Sequence, residues 1–175
     1  MTSLPLIDTR LLGKPKVYTG VKAEWHQWKY VFLAYVGAVD QRLLTALELA
    51  EQQDIVLDFV NYDEAAQQQA RTMSYILSQM LQGGPLQLAM NSGNNGLEAW
   101  RRLVRQEEPV SGASQVASLS LILNTKFSGK GATFVEEMQK FEGSVQRYEA
   151  QFNEPLPDAL HQALLKSNAP GSIKN

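Results

Sequence analysis

The 175-residue chain contains no cysteine. Disulfides, thiolate zinc sites, zinc knuckles and cysteine nucleophiles are therefore excluded within it. Histidine is almost as scarce. The only two, His26 and His161, have no His-x-x-x-His or Glu-x-x-His spacing, so they read as solvated or partly packed side chains rather than ligands. No apolar run is long enough for a transmembrane helix. Residues 1–12 carry Asp8 and Arg10 among scattered apolar residues, without the continuous apolar core of a secretory signal. Charge of one sign is also lacking. Sixteen Lys and Arg face eighteen Asp and Glu, a formal net charge of -2, where a free-standing nucleic-acid binder usually carries a basic excess. An RNA-handling system whose basic charge lies in another segment stays open. These absences are compatible with a reducing compartment; a cytoplasmic location and no membrane partner are expected.

Hydrophobic residues make up 44% of the chain, ample for a packed core. Their spacing is helical throughout, with no alternating strand pattern and no repeat at a fixed period. Residues 1–20, broken by Pro5, Gly13, Pro15 and Gly20, read as an extended arm. A first helix is expected over 21–39, because Trp25, Trp28, Phe32, Tyr35 and Val39 fall on one face. A second is expected over 41–53 with Asp40 as N-cap, and a third over 63–82 with Ala66, Ala70, Met73, Ile76, Leu77, Met80 and Leu81 in its stripe. Residues 54–60 read as a connector. Gly83-Gly84 should end the third helix and Pro85 open a short one to Met90. Leu97, Trp100, Leu103 and Val104 mark a helix over 97–106, and Pro109 with Ser111-Gly112 marks a boundary.

The second half reads as helices over 114–123, 134–152 and 158–166. Thr133 and Glu136 have capping-box spacing at the start of the middle one. Gly143 inside it costs roughly 1 kcal/mol relative to alanine, which suggests close helix packing there. Ala169-Pro170-Gly171 reads as a turn, with one more helix beginning at Ser172 and cut short at Asn175. The expected fold is all-α in two small helical lobes, 21–109 and 113–175, the second truncated. Trp25, Trp28, Phe32, Tyr35, Trp100, Phe134, Phe141 and Tyr148 are the expected lobe cores.

Little of this points to catalysis. Asn91-Ser92-Gly93 and Ser111-Gly112 lack the strand–turn–helix setting of a serine nucleophile. Ser128-Gly129-Lys130-Gly131 lacks the frame of a phosphate loop and reads as a mobile loop, or as an anion contact at the next helix start. The adjacent carboxylates Asp63-Glu64, Glu107-Glu108 and Glu136-Glu137 point about 100° apart on a helix and do not face each other as an acid/base pair. No titratable cluster sits on an apolar face, so no enzymatic activity and no cofactor or metal is expected. The strongest electrostatic feature is Arg101, Arg102 and Arg105, expected as a patch beside Trp100 that serves either subunit or RNA contacts or simply solvation. Lys126 and Lys130 are further candidates.

Leu12-Gly13-Lys14-Pro15-Lys16-Val17-Tyr18-Thr19-Gly20 followed by Trp25-His26-Gln27-Trp28 resembles the start of Gag proteins of copia-type LTR retrotransposons. Asn95-Gly96-Leu97-Glu98-Ala99-Trp100-Arg101-Arg102-Leu103 resembles that family's A-x-x-W-x-x-L helix, with Glu107-Glu108-Pro109 in place of the break that follows it. Phe134 to Tyr148 resembles the next long helix, and Leu160 to Pro170 loosely the ending. Order and spacing together carry the resemblance over most of the chain. It implies a retroviral-capsid-like pair of helical lobes that self-assemble into a shell around the element's RNA. The family's zinc knuckle is missing, so RNA is expected to be held through a segment outside this chain. A host-domesticated Gag-like interaction module, binding partners through a groove in the first lobe, is the alternative.

Overall fold

The computed structural model describes residues 13–128 and 130–168. Its chain divides into two compact units, Met1–Glu107 and Glu108–Asn175. The described residues are all-α, with eight α-helices. Residues 1–12 of the expected arm, Gly129, the Ala169-Pro170-Gly171 turn and the helix expected from Ser172 lie outside the described residues.

The first unit holds five helices: α1 (Trp25–Val39), α2 (Gln41–Glu51), α3 (Glu64–Met80), α4 (Gly83–Met90) and α5 (Gly96–Glu107). Helical periodicity turns Trp25, Trp28, Phe32 and Val36 of α1 inward, against Leu43 and Leu47 of α2, Met73 and Leu77 of α3, and Trp100 and Leu103 of α5. The caps are those expected of short acids. Asp40 accepts from Arg42 N–H at 2.9 Å, and Asp63 from Ala66 N–H at 2.8 Å. Asn95 starts α5 in the same manner, its Oδ1 taking Glu98 N–H at 3.2 Å.

The chain before α1 is not a free arm where it is described. Tyr18 donates its N–H to the Met80 carbonyl at 2.9 Å and accepts from Gln82 N–H at 2.9 Å. Its ring is buried, 5.3 Å from Trp25 and 5.1 Å from Trp28. Trp28 in turn donates its indole N–H to the Lys16 carbonyl at 2.7 Å. This pairing draws Leu81 and Gln82 into extended backbone, so α3 stops at Met80 and the glycine pair opens α4 instead of closing α3.

Gly96 fixes how closely α5 approaches α3. A β-carbon there would lie 2.2 Å from Ser74 N and 2.7 Å from the Ala70 carbonyl oxygen. Both are rigid backbone atoms, so only glycine allows the two helices to meet at this point.

The second unit holds α6 (Gly112–Leu123), α7 (Gly131–Phe152) and α8 (Asp158–Asn168). A reciprocal Ser111–Ser114 capping box starts α6 two residues earlier than expected: Ser111 Oγ accepts from Ser114 N–H at 3.1 Å, and Ser114 Oγ from Ser111 N–H at 3.0 Å. Helix α7 begins before Thr133, which therefore lies inside it and bonds back to the Lys130 carbonyl at 3.2 Å; it is not the cap. Ile122, Phe141, Val145, Tyr148 and Leu156 form the core. Phe134, expected within the core, is half-buried with its ring edge-on to Phe127 at 5.7 Å. Gly143 admits no close helix approach, since a β-carbon there would meet only the flexible end of Arg147, at 3.4 Å.

Candidate assembly surfaces

Helix α5 carries the residues that the sequence singles out, and the structure does not bring the three arginines together. Arg101 is buried and lies bidentate on Glu98, with Nε to Oε2 at 2.7 Å and Nη2 to Oε1 at 2.8 Å. Arg102 donates to Ser92 Oγ at 3.2 Å. Arg105, one turn after Arg101, holds the same segment at the Gln53 carbonyl, 2.6 Å, and Asp54 Oδ1, 2.9 Å. Successive helical positions point about 100° apart, so Arg102 stands apart from Arg101. Arg101 is thus held inside the fold by Glu98.

The Glu98–Arg101 pair belongs to a buried polar clamp. Glu98 Oε2 also accepts Leu57 N–H at 2.9 Å, and Asn95 donates to the Leu57 carbonyl at 2.7 Å. The Tyr62 hydroxyl donates to Asn95 Oδ1 at 3.2 Å. Burial alone raises the Glu98 carboxyl, but the Arg101 guanidinium and the Leu57 amide outweigh it and hold the group below its ordinary range. A second tie lies beside it. Glu51 accepts the Trp100 indole N–H at 2.9 Å and the Lys29 ammonium at 3.0 Å.

The clamp decides the shape of the segment between α2 and α3. Leu57 and Phe59 turn toward the core, while Ile55, Val56 and Val60 are 71%, 70% and 76% exposed. What reads in sequence as a plain connector is therefore a held ridge of outward aliphatic side chains. The sequence signal that could have found it is Glu98. It is a carboxylate beside the Trp100 stripe of α5, three residues before Arg101, and one turn of helix brings the two together.

Tyr35, expected in the lobe core, is only half-buried. It lines a groove of about 430 Å³ between α1 and α3, with Lys14, Arg71, Tyr75, Ile76 and Met80. Tyr75 is 78% exposed, and the described lining includes no carboxylate.

In the second unit Lys126 and Lys130 are both exposed. The segment that carries them is tied to α7 by Ser128, whose N–H donates to Glu137 at 3.0 Å and whose hydroxyl lies 2.9 Å from that of Thr133. His161 stacks on Phe141 at 5.6 Å and lies 3.1 Å from Glu142 Oε1, a packed position. The larger feature is α6. Of its apolar side chains only Ile122 is buried; Val116 is 65% and Leu121 75% exposed, with Leu123 also exposed. Val135 on α7 adds a further outward aliphatic group.

No protein-family model, curated protein or solved structure matches this chain. Its reading therefore rests on the geometry. The polar clamp is a closed set of mutually bonded groups that fastens one segment to one helix. Among the described residues no group of three or more His, Asp or Glu converges as a metal site, and no helix is long and apolar enough to cross a membrane. The surfaces left unsatisfied are apolar: the ridge at 55–60, the groove beside α3, and α6.

Proposed function

We propose that this chain is a structural protein that assembles with copies of itself, the capsid region of a Gag polyprotein of the copia type, with RNA held by a segment outside it. The observation that carries this reading is α6, where Val116, Leu121 and Leu123 are exposed and Ile122 alone of its apolar side chains is buried. Several large aliphatic side chains exposed on one short helix of a small domain are a surface suited to a partner. Identical subunits repeating under symmetry can use modest interfaces, because each is made many times. The resemblance of residues 12–28 and 95–103 to copia-type Gag supports the same reading.

Light scattering and negative-stain electron microscopy at rising protein and salt concentration test it. Rings, tubes or closed shells are expected, and Val116→Glu with Leu121→Glu should reduce them. A monomer at every condition overturns self-assembly and favours the second reading, a host-domesticated interaction module. The tyrosine-lined groove of the first unit supports that alternative.

A further inference from the structure

We propose that the groove between α1 and α3 receives the 54–60 segment of a second copy of this chain. This rests on the self-assembly reading and names one of its interfaces. The two surfaces are complementary in kind. The groove offers the rings of Tyr35 and Tyr75 and the aliphatic side chains of Ile76 and Met80, with the cations Lys14 and Arg71 and no carboxylate in its described lining. The segment offers Ile55 and Val56 turned outward between the exposed carboxylates of Asp54 and Asp58, with Val60 outward just beyond. Aliphatic groups match the apolar wall, and acids match the cations. Complementary potentials of this kind select a partner and fix its orientation.

The segment is also already ordered. Asn95 and Glu98 hold Leu57 from both of its backbone polar groups, and Arg105 holds Gln53 and Asp54. Docking a pre-shaped ridge avoids most of the ordering cost that a flexible peptide bears. Groove and ridge are neighbours on one unit, since the Arg71 guanidinium lies 5.5 Å from the Phe59 ring. A contact from the ridge of one copy to the groove of the next is head-to-tail. Repeated, it closes into a ring or continues as a filament. Single-stranded RNA fits less well, because affinity for RNA grows with the number of phosphates neutralised, and the groove has two cations.

The test uses two variants of the full chain altered only at exposed or groove positions. Ile55→Asp with Val56→Asp spoils the ridge and keeps the groove. Lys14→Glu with Tyr75→Ala spoils the groove and keeps the ridge. Circular dichroism checks that both fold, and sedimentation velocity measures association. Each variant alone should associate about tenfold or more weakly than the unaltered chain, and a 1:1 mixture should recover a heterodimer through its one intact contact. If the unaltered chain assembles and both variants assemble equally well, this interface is wrong while self-assembly stands. If the unaltered chain stays monomeric, both fall. Fluorescence anisotropy with a single-stranded RNA, bound by the unaltered chain and lost in the groove variant, reassigns the groove to RNA and overturns the proposal.

Discussion

The two units are built from similar helices and differ in how much they bury. Among the described residues, the first packs nineteen buried residues into one cluster, all three tryptophans among them, and adds a buried ion pair and a backbone bridge. The second, again among its described residues, packs five, with Leu119, Phe127, Phe152 and Leu160 only partly covered around them. Burial of apolar area is the main favourable term in folding, so the second unit should be the weaker and open first. Its uncovered side chains are also those most in need of a partner. Trp25, Trp28 and Trp100 all lie in the first unit, so tryptophan fluorescence reports that unit alone, while far-ultraviolet circular dichroism reports both. In urea the dichroism should begin to fall before the fluorescence changes. Coincident transitions would mean the two cores melt as one, and the comparison would fail.

The largest effect is expected at Gly96. Alanine there forces a β-carbon into the α3 backbone, and because main chain cannot step aside as a side chain can, the loss should exceed about 4 kcal/mol. The fluorescence transition should shift to much lower urea or vanish. Alanine at Gly143, which has only the end of Arg147 nearby, should do the opposite and stabilise by up to about 1 kcal/mol. The next effect tests the second unit. Phe141 is its best-buried aromatic residue, and Phe141→Ala should cost about 3–5 kcal/mol, enough to unfold a core of this size. The early dichroism phase should be lost while the tryptophan transition stays in place.

Much of this architecture is legible in the sequence, because helical periodicity is a local property. The stripes of α3 and α5 are visible in the sequence, and so are Trp25, Trp28 and Phe32 of α1, although Val36 and not Tyr35 or Val39 completes that face; the cap at Asp40 and the break at Pro109 are visible too. What is not legible depends on partners distant along the chain. Nothing near Tyr18 shows that its backbone will pair with Met80 and Gln82, so 13–20 reads as an arm. Nothing near Ile55 shows that Asn95 and Glu98 will hold Leu57, so a shaped ridge reads as a connector. The three arginines show the limit most clearly. Composition marks them as basic, and only the folded arrangement assigns each a different partner. Thr133 is a local misreading of another kind: its spacing to Glu136 is right, but the helix had already begun.

The clamp should make the first unit the more sensitive to acid. Because the folded Glu98 carboxyl lies below its ordinary range of about 4.3, the stability it contributes is full above that value and is lost as pH falls through the lower folded one. The midpoint of the fluorescence transition should therefore fall below about pH 4. Glu98→Gln should flatten that acid limb and leave Arg101 as an unpaired buried cation, at a cost of about 3 kcal/mol at neutral pH. An unchanged acid limb in this variant would place the titrating group elsewhere. The alkaline side follows from Tyr18 and Tyr62, both raised above 10.0 first by burial. Their contribution is present below about pH 10 and is lost as pH climbs through the raised values.

The smallest effect is a gain in stability and concerns a flaw in the better-packed unit. The Tyr18 hydroxyl is buried, and no group meets it in hydrogen-bonding geometry, although the Glu107 carboxylate is close enough to push its pKa up after burial has done so. A buried unmade hydrogen bond costs about 1–3 kcal/mol, whereas removing the polar atom and keeping the shape is near neutral or favourable. Tyr18→Phe retains the ring between Trp25 and Trp28 and removes only the hydroxyl. It should raise the stability of the first unit by about 0.5–1 kcal/mol and shorten its alkaline limb. A loss of stability would show that the hydroxyl bonds Glu107 in solution. Glu107→Gln would then cost as much alone as it does combined with Tyr18→Phe, because two partners of one bond do not add. That result would turn the flaw into a further tie between the segment before α1 and the end of α5, and would widen the difference between the two units.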